Sequence, residues 1–183
     1  MARGRVIIFP TDTVYGIGTK IFDLDGIERI YEIKKRPKDK PLACLCSNID
    51  QIESIAILDS NARLLIDKFL PGALTLILES KDIVKDKIGY NTIGVRIPNS
   101  RVALSILDKN GPMLTTSVND SGEAPMNSYD EIKDKYGLLV DEIYDIEEPL
   151  LEIPSTVVKI DCGKVIILRE GIIKKEDIEG LLK

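Results

Sequence analysis

Short runs of Val, Ile and Leu alternate with segments of helical spacing along this whole chain, and that alternation leaves few folds open. The runs at residues 6–9, 42–46, 73–78, 92–97, 113–117, 140–144, 155–160 and 164–168 are four to six residues long and read as strands. Between them, Leu24, Ile27, Ile30 and Tyr31 share one helical face, with Asp23 or Asp25 placed to cap it. Residues 49–58, 62–70, 101–107, 130–136 and the segment from 175 onward also read as helices, and Pro71-Gly72 stops the second of these. Residues 10–18, Pro-Thr-Asp-Thr-Val-Tyr-Gly-Ile-Gly, read instead as a polar turn whose glycines let backbone approach something closely. Interleaved strands and helices predict an α/β (α+β) fold, with a twisted, open, mixed sheet and flanking helices in a single domain over residues 1–183.

Composition narrows the chemistry. The chain has 183 residues, 44% apolar and 30% charged, enough to bury a core without disulfide or metal staples. The first apolar run, residues 6–9, is too short for a signal-peptide core or a bilayer span, which predicts a cytoplasmic protein with no membrane partner. Cys44, Cys46 and Cys162 form no Cys-x-x-Cys pattern and are expected to pack rather than bind metal. Histidine is absent. A Ser-His-Asp or Cys-His device and a His-ligated zinc or iron centre are thereby excluded. Proton transfer falls to carboxylates, Lys, Tyr, substrate or water. Reactions governed by charge neutralisation and positioning, such as nucleotidyl and phosphoryl transfer, come forward.

One segment has the right charge for that work. Residues 34–40 read Lys-Lys-Arg-Pro-Lys-Asp-Lys, five cations in seven residues, in a chain with 25 Lys and Arg against 30 Asp and Glu. Pro37 and Pro41 stiffen the loop, which suits an anion that must be met by fixed charge. Elsewhere, alternation along the 113–117 strand, if it runs on to Asn119, places Ser117 and Asn119 on one face. Arg96 follows the glycine-containing strand 92–95, as a residue that is either paired inside or faces a carboxylate or phosphate. Pro154-Ser155-Thr156 opens a late strand and Leu168-Arg169-Glu170-Gly171 closes another. Neither a P-loop nor a Gly-x-Gly-x-x-Gly dinucleotide motif is present.

Six blocks together carry a resemblance: Phe-Pro-Thr-Asp-Thr-Val-Tyr-Gly, Lys-x-Arg-Pro-x-x-Lys-Pro-Leu, Pro-Gly-Ala-Leu-Thr, Val-Arg-Ile-Pro, Thr-Ser-x-Asn-x-Ser-Gly, and Pro-Ser-Thr-Val-Val followed by Leu-Arg-Glu-Gly. In this order, from about Phe9 to Gly171, they resemble the YrdC/Sua5 family of threonylcarbamoyl-AMP synthases in its short, single-domain form. The resemblance implies a YrdC/RibB-like sheet with a concave, positively charged face. It implies an enzyme that joins L-threonine, bicarbonate and ATP into threonylcarbamoyl-AMP with release of pyrophosphate, serving a downstream threonylcarbamoyl transferase complex that modifies tRNA. Lys34, Arg36, Ser117 and Asn119 take the catalytic positions. Thr13, Arg96, Ser117 and Ser155 take the threonine positions. Arg36, Lys40, Thr92, Asn119, Asn127 and Arg169 take the ATP positions, with magnesium expected on the ATP, no metal ligand from protein side chains and no organic cofactor. Val118 and Asp120 depart from the usual block, and Asp120 adds a negative charge beside an expected phosphate site.

Two rival readings stand beside this one. The basic loop could bind double-stranded RNA or a ribosomal surface, but the acidic total charge and the absence of Trp argue against more than weak RNA binding. A homologue forming carbamoyl-adenylate would use carbamoyl phosphate in place of threonine.

Overall fold

The computed structural model describes residues 3–145, 148–162 and 164–182. Its strands are β1 (Ile7–Pro10), β2 (Tyr15–Lys20), β3 (Ala43–Leu45), β4 (Leu74–Glu79), β5 (Thr92–Arg96), β6 (Met113–Ser117), β7 (Glu142–Ile143), β8 (Thr156–Asp161) and β9 (Lys164–Arg169). The helices are α1 (Leu24–Lys34), α2 (Ile49–Ile55), α3 (Ser60–Phe69), α4 (Asp82–Ile88), α5 (Arg101–Asn110), α6 (Tyr129–Tyr136) and α7 (Lys175–Leu181). The strands form one mixed sheet in the order β7-β1-β2-β6-β3-β5-β4-β8-β9. The β1–β7, β3–β5 and β4–β8 pairs are parallel and the others antiparallel. The predicted α/β class and mixed sheet are therefore observed.

Alternation along the central strands divides the sheet into two unlike faces. Ile93 and Val95 of β5, Leu74 and Leu76 of β4, and Cys44 of β3 enter the large core. There they meet Ile30 of α1, Ile52 of α2, Leu65 of α3, Val84 of α4, Ile132 of α6 and Ile178 of α7. The other face receives Thr92, Gly94 and Arg96, Thr75 and Ile77, and Ala43 and Leu45. One end of that second face is covered by α5, whose Ala103, Ile106 and Leu107 pack on Ile7, Phe9, Leu45 and Met113. Burial of Ile106 and Leu107 contributes roughly 1.5–3 kcal/mol each to that cover. Beside α5 the face is open and concave.

Two elements depart from the expectation. The polar segment after β1 is a turn only at residues 11–14, and Tyr15–Lys20 returns as β2 against β1. Gly16 and Gly18 do permit a close approach, but to β6: a Cβ on Gly16 would lie 2.7 Å from Thr115 Cγ2, and one on Gly18 2.8 Å from Thr115 Oγ1. The glycines thus serve sheet packing, and that removes the β-branched signal a strand normally shows. Helix α4 escapes the sequence pattern because it buries Val84 alone over seven residues, too little for a helical period to show.

Candidate active site

Helix α1 delivers two cations to different places. It ends at Lys34, and Lys35 adopts the left-handed conformation (φ 51°), its N–H bonded to Glu32 O (3.1 Å) while Arg36 N bonds Tyr31 O (2.9 Å). That reversal leaves the Lys34 side chain pointing back under the sheet end and sends Arg36 outward. Lys34 is 1% exposed, and its ammonium donates to Ser117 O, to Asn119 O (2.6 Å) and to Asn119 Oδ1 (2.8 Å). Lys34 O also accepts from Ser121 N (3.0 Å), so both ends of the residue hold the 117–121 loop. Burial, and secondly the charge of Arg36, bring the Lys34 pKa down to about 8, with Asp120 opposing. Arg36 is half-buried and curls over its own loop, donating through Nε to Lys40 O and through Nη2 to Pro41 O, both at 3.0 Å. Tyr31 OH donates to the same Lys40 carbonyl (3.0 Å) and lies 3.1 Å from Tyr90 OH, so the loop is pinned as its prolines suggested.

A second group of side chains is braced around Arg96 at the end of β5. Arg96 donates to Gly72 O (2.8 Å), Thr13 Oγ1 (2.9 Å) and Asp12 Oδ1 (2.5 Å), and it is 5% exposed. Among the described residues three of the five guanidinium N–H groups are thus engaged, and two are left for a ligand. Gly72, whose carbonyl accepts from Arg96, lies in the loop after α3, next to the cis Leu70–Pro71 bond. Burial lowers the Arg96 pKa, Asp12 opposes, and Arg169 adds a like charge. Across the sheet, Arg169 at the end of β9 donates through Nε and Nη2 to Ser155 O (3.1 and 2.9 Å), and through Nη2 to Ser155 Oγ (3.0 Å). Ser155 Oγ lies 2.8 Å from Thr75 Oγ1. Gly171 lets the chain after β9 pass here, since a Cβ on it would sit 2.4 Å from Pro154 O.

These groups surround one cavity of about 340 Å³ on the open face, lined by Thr13, Arg36, Thr75, Arg96, Ser117, Ser155 and Arg169 among others. The structure brings Thr13, Arg36, Arg96, Ser117, Ser155 and Arg169 together, from segments up to 156 residues apart (169 minus 13). Lys34 and Asn119 lie behind the lining: Asn119 Oδ1 accepts from both Lys34 and Ser117 Oγ (2.7 Å), and its amide donates to Glu123 O (2.6 Å). Ser117 has spent its hydrogen on Asn119 and can offer a ligand only lone pairs. Thr92 is exposed, two residues before Gly94 on the same strand face, and continues that face beyond the lining. Lys40 is exposed, and Asn127 lies apart from the lining with a buried Oδ1 that has no partner among the described residues. Asp120 is turned toward Tyr136 OH (3.0 Å), Lys135 (3.1 Å) and Lys35 (3.5 Å), which hold its pKa below the usual carboxylate range. Lys38 pairs with Glu28 at 2.7 Å. Thr75 joins the site without having been marked by residue type or spacing, although it stands inside a motif block, and Asp12, one of the donors and acceptors that the polar turn 10–18 offers, joins it through Arg96.

Three guanidinium groups and several hydroxyls on an open sheet face define a site for a small ligand with anionic oxygens. The family model for Sua5, YciO and YrdC, described as "Telomere recombination", matches residues 1–171. The chain belongs to this family. A Methanocaldococcus jannaschii protein, provisionally called a threonylcarbamoyl-AMP synthase, is 38% identical over 173 residues, covering 93% of this chain and 82% of that one. The threonylcarbamoyl-AMP synthase of Pyrococcus abyssi is 33% identical over 185 residues, covering 98% of this chain. This chain spans about half (54%) of the length of that relative. The crystal structure of P. abyssi Sua5 complexed with L-threonine superposes with a TM-score of 0.90 at 32% identity, over 97% of this chain and 54% of that one.

Proposed function

We propose that this chain is an L-threonylcarbamoyladenylate synthase, a nucleotidyltransferase that condenses L-threonine, bicarbonate and ATP to threonylcarbamoyl-AMP and pyrophosphate. The observation that carries this reading is the cavity itself: Arg36, Arg96 and Arg169 converge there with Thr13, Ser117 and Ser155, in a fold that superposes on a threonine-bound relative. Arg96, with two N–H groups to spare, takes the α-carboxylate. Ser117, as a lone-pair donor, receives an N–H of the amino group. Attack of that nitrogen on bicarbonate expels the bicarbonate hydroxyl as water and releases a proton to solvent. It leaves a carbamate whose oxygen attacks the α-phosphorus of ATP as the bond to the pyrophosphate oxygen breaks. The attacking group is already an anion, so no histidine base is required. What opposes the step is repulsion between two anions, and Arg36 and Arg169 supply the neutralising charge.

Magnesium enters with ATP as part of the substrate. Among the described residues no cluster of three or more His, Cys, Asp or Glu offers a metal site, and Asp12 is engaged by Arg96. The charge on Lys34 acts through the loop it braces, and Lys34 and Asn119 position Ser117. Lys40, Thr92 and Asn127 form the outer nucleotide side. The product passes to a threonylcarbamoyl transferase complex, direct RNA contact is at most weak, and the reaction takes place in the cytoplasm. Among the described residues no helix is long and apolar enough to cross a membrane. The test is mass detection of threonylcarbamoyl-AMP after incubation with threonine, bicarbonate, magnesium and ATP. Folded protein that yields none, and no threonine-dependent pyrophosphate, would overturn the reading.

A further inference from the structure

We propose that Thr75 sets the preference of this site for an amino acid bearing a side-chain hydroxyl. The inference rests on the functional reading only in taking the ligand as an amino acid held by Arg96. Continuing the observed β4–β5 register, in which Leu76 faces Val95 and Ile77 faces Gly94, places Thr75 directly opposite Arg96. Such partners have Cβ atoms about 4.5–5.5 Å apart, and both side chains lie on the open face. Both residues line the one cavity, so a ligand with its carboxylate on Arg96 can turn its β-carbon toward Thr75.

The orientation of Thr75 is fixed from two sides. Its Cγ2 packs over Gly94, 3.3 Å from where a Cβ would stand, and its hydroxyl lies 2.8 Å from Ser155 Oγ. A branched side chain held at both ends keeps one rotamer. Hydrogen accounting then decides what the pair can bind. Ser155 Oγ accepts from Arg169, and Thr75 and Ser155 share one hydrogen between them. One hydroxyl hydrogen and two lone pairs remain for a ligand, in a place where each residue is only 4% exposed. A ligand hydroxyl is donor and acceptor together and satisfies the hydrogen and one of the lone pairs. A methyl group satisfies neither and leaves the one free hydroxyl hydrogen buried without an acceptor.

The measurement is calorimetric binding of L-threonine and of L-2-aminobutyrate, which lacks the hydroxyl, to the wild-type chain and to Thr75→Val and Thr75→Ser. The wild-type chain is expected to prefer threonine by roughly 10- to 100-fold. Thr75→Val keeps the shape but not the hydroxyl, and the preference should shrink to a few-fold. Thr75→Ser should keep most of it. A wild-type chain that binds both ligands alike, or a Thr75→Val variant that keeps the full preference, overturns the proposal. If Thr75→Val does not fold, Ser155→Ala takes its place, and an unchanged preference there overturns it equally. Binding is read without turnover, so a chain that selects threonine but makes no pyrophosphate would sink the synthase reading and leave this one standing.

Discussion

The two ends of the cavity are built in opposite ways. Around Arg96 each polar group is held by another element: Asp12 and Thr13 come from the β1–β2 turn, Gly72 from the loop after α3, Thr75 from β4, and Ser155 and Arg169 from the β8–β9 side. At the other end, among the described residues, Arg36 bonds only carbonyls of its own loop, and Lys40 and Thr92 stand in solvent. A braced, buried end can discriminate a small ligand atom by atom, since a misfit leaves polar groups unpaired. An open, charged end meets a larger anion by charge, which water and salt weaken. The same sheet face thus carries a reader of shape and a reader of charge.

The sharpest way to break that contrast is to remove an arginine from each end. Arg96→Ala should lower kcat/KM for threonine by about 10³-fold or more, with most of the loss in the threonine requirement. It also strands Asp12, whose side chain is 10% exposed, and loss of one partner from a buried pair commonly costs about 3–5 kcal/mol. A marked drop in melting temperature is therefore expected alongside the kinetic loss, and unchanged threonine dependence would remove Arg96 from its role. Arg36→Ala should lower turnover by about 10²-fold, through ATP rather than threonine, and leave the melting temperature near wild type. Added salt should weaken ATP more than threonine. Equal damage to stability from both variants would erase the distinction between the two ends.

The same contrast explains which parts of the molecule are legible in its amino-acid sequence. The strands are legible because Ile93-Gly94-Val95 or Leu74-Thr75-Leu76 alternate inside and outside. The open end is legible because five cations in seven residues stand out against an acidic chain. The braced end is not. Asp12 meets Arg96 only after β1 and β5 join one sheet, and Thr75 meets Ser155 only through the β4–β8 pairing. Nor can spacing separate Lys34 from Arg36. A single left-handed residue, Lys35, sends one inward and the other out, and no local signal marks a lysine for that conformation. The motif assigns both cations to one task, and the structure sets them in different places.

Lys34 sharpens the comparison through pH. Its ammonium serves three oxygens, and burial brings its pKa to about 8 in the folded chain from the ordinary 10.5. Below about 8 the lysine is charged in both folded and unfolded chains. Between that value and the ordinary one the unfolded chain holds the extra proton, so this group's contribution to stability rises with pH. Activity should move the other way. A neutral amine has two N–H groups for three acceptors, and the loop carrying Ser117 loosens. We expect kcat to fall about fivefold from pH 8 to pH 9, with no loss of melting temperature traceable to Lys34. Lys34→Arg stays charged throughout. Retention of the same alkaline fall in that variant would show that another group causes it.

The smallest effect is expected at Asp120, where the sequence sets a negative charge beside an expected phosphate site. A carboxylate beside a phosphate site should repel ATP, and its removal should then tighten binding. In the structure Asp120 faces Tyr136, Lys135 and Lys35 and is already neutralised by two cations. These exposed pairs contribute little to stability. Asp120→Asn should therefore change the KM for ATP by no more than about twofold and the melting temperature only slightly. An improvement in ATP affinity of tenfold would mean that Asp120 faces the phosphates when the site is filled. The loop held by Lys34 would then have to move on binding, and only the Arg96 end would be built in advance.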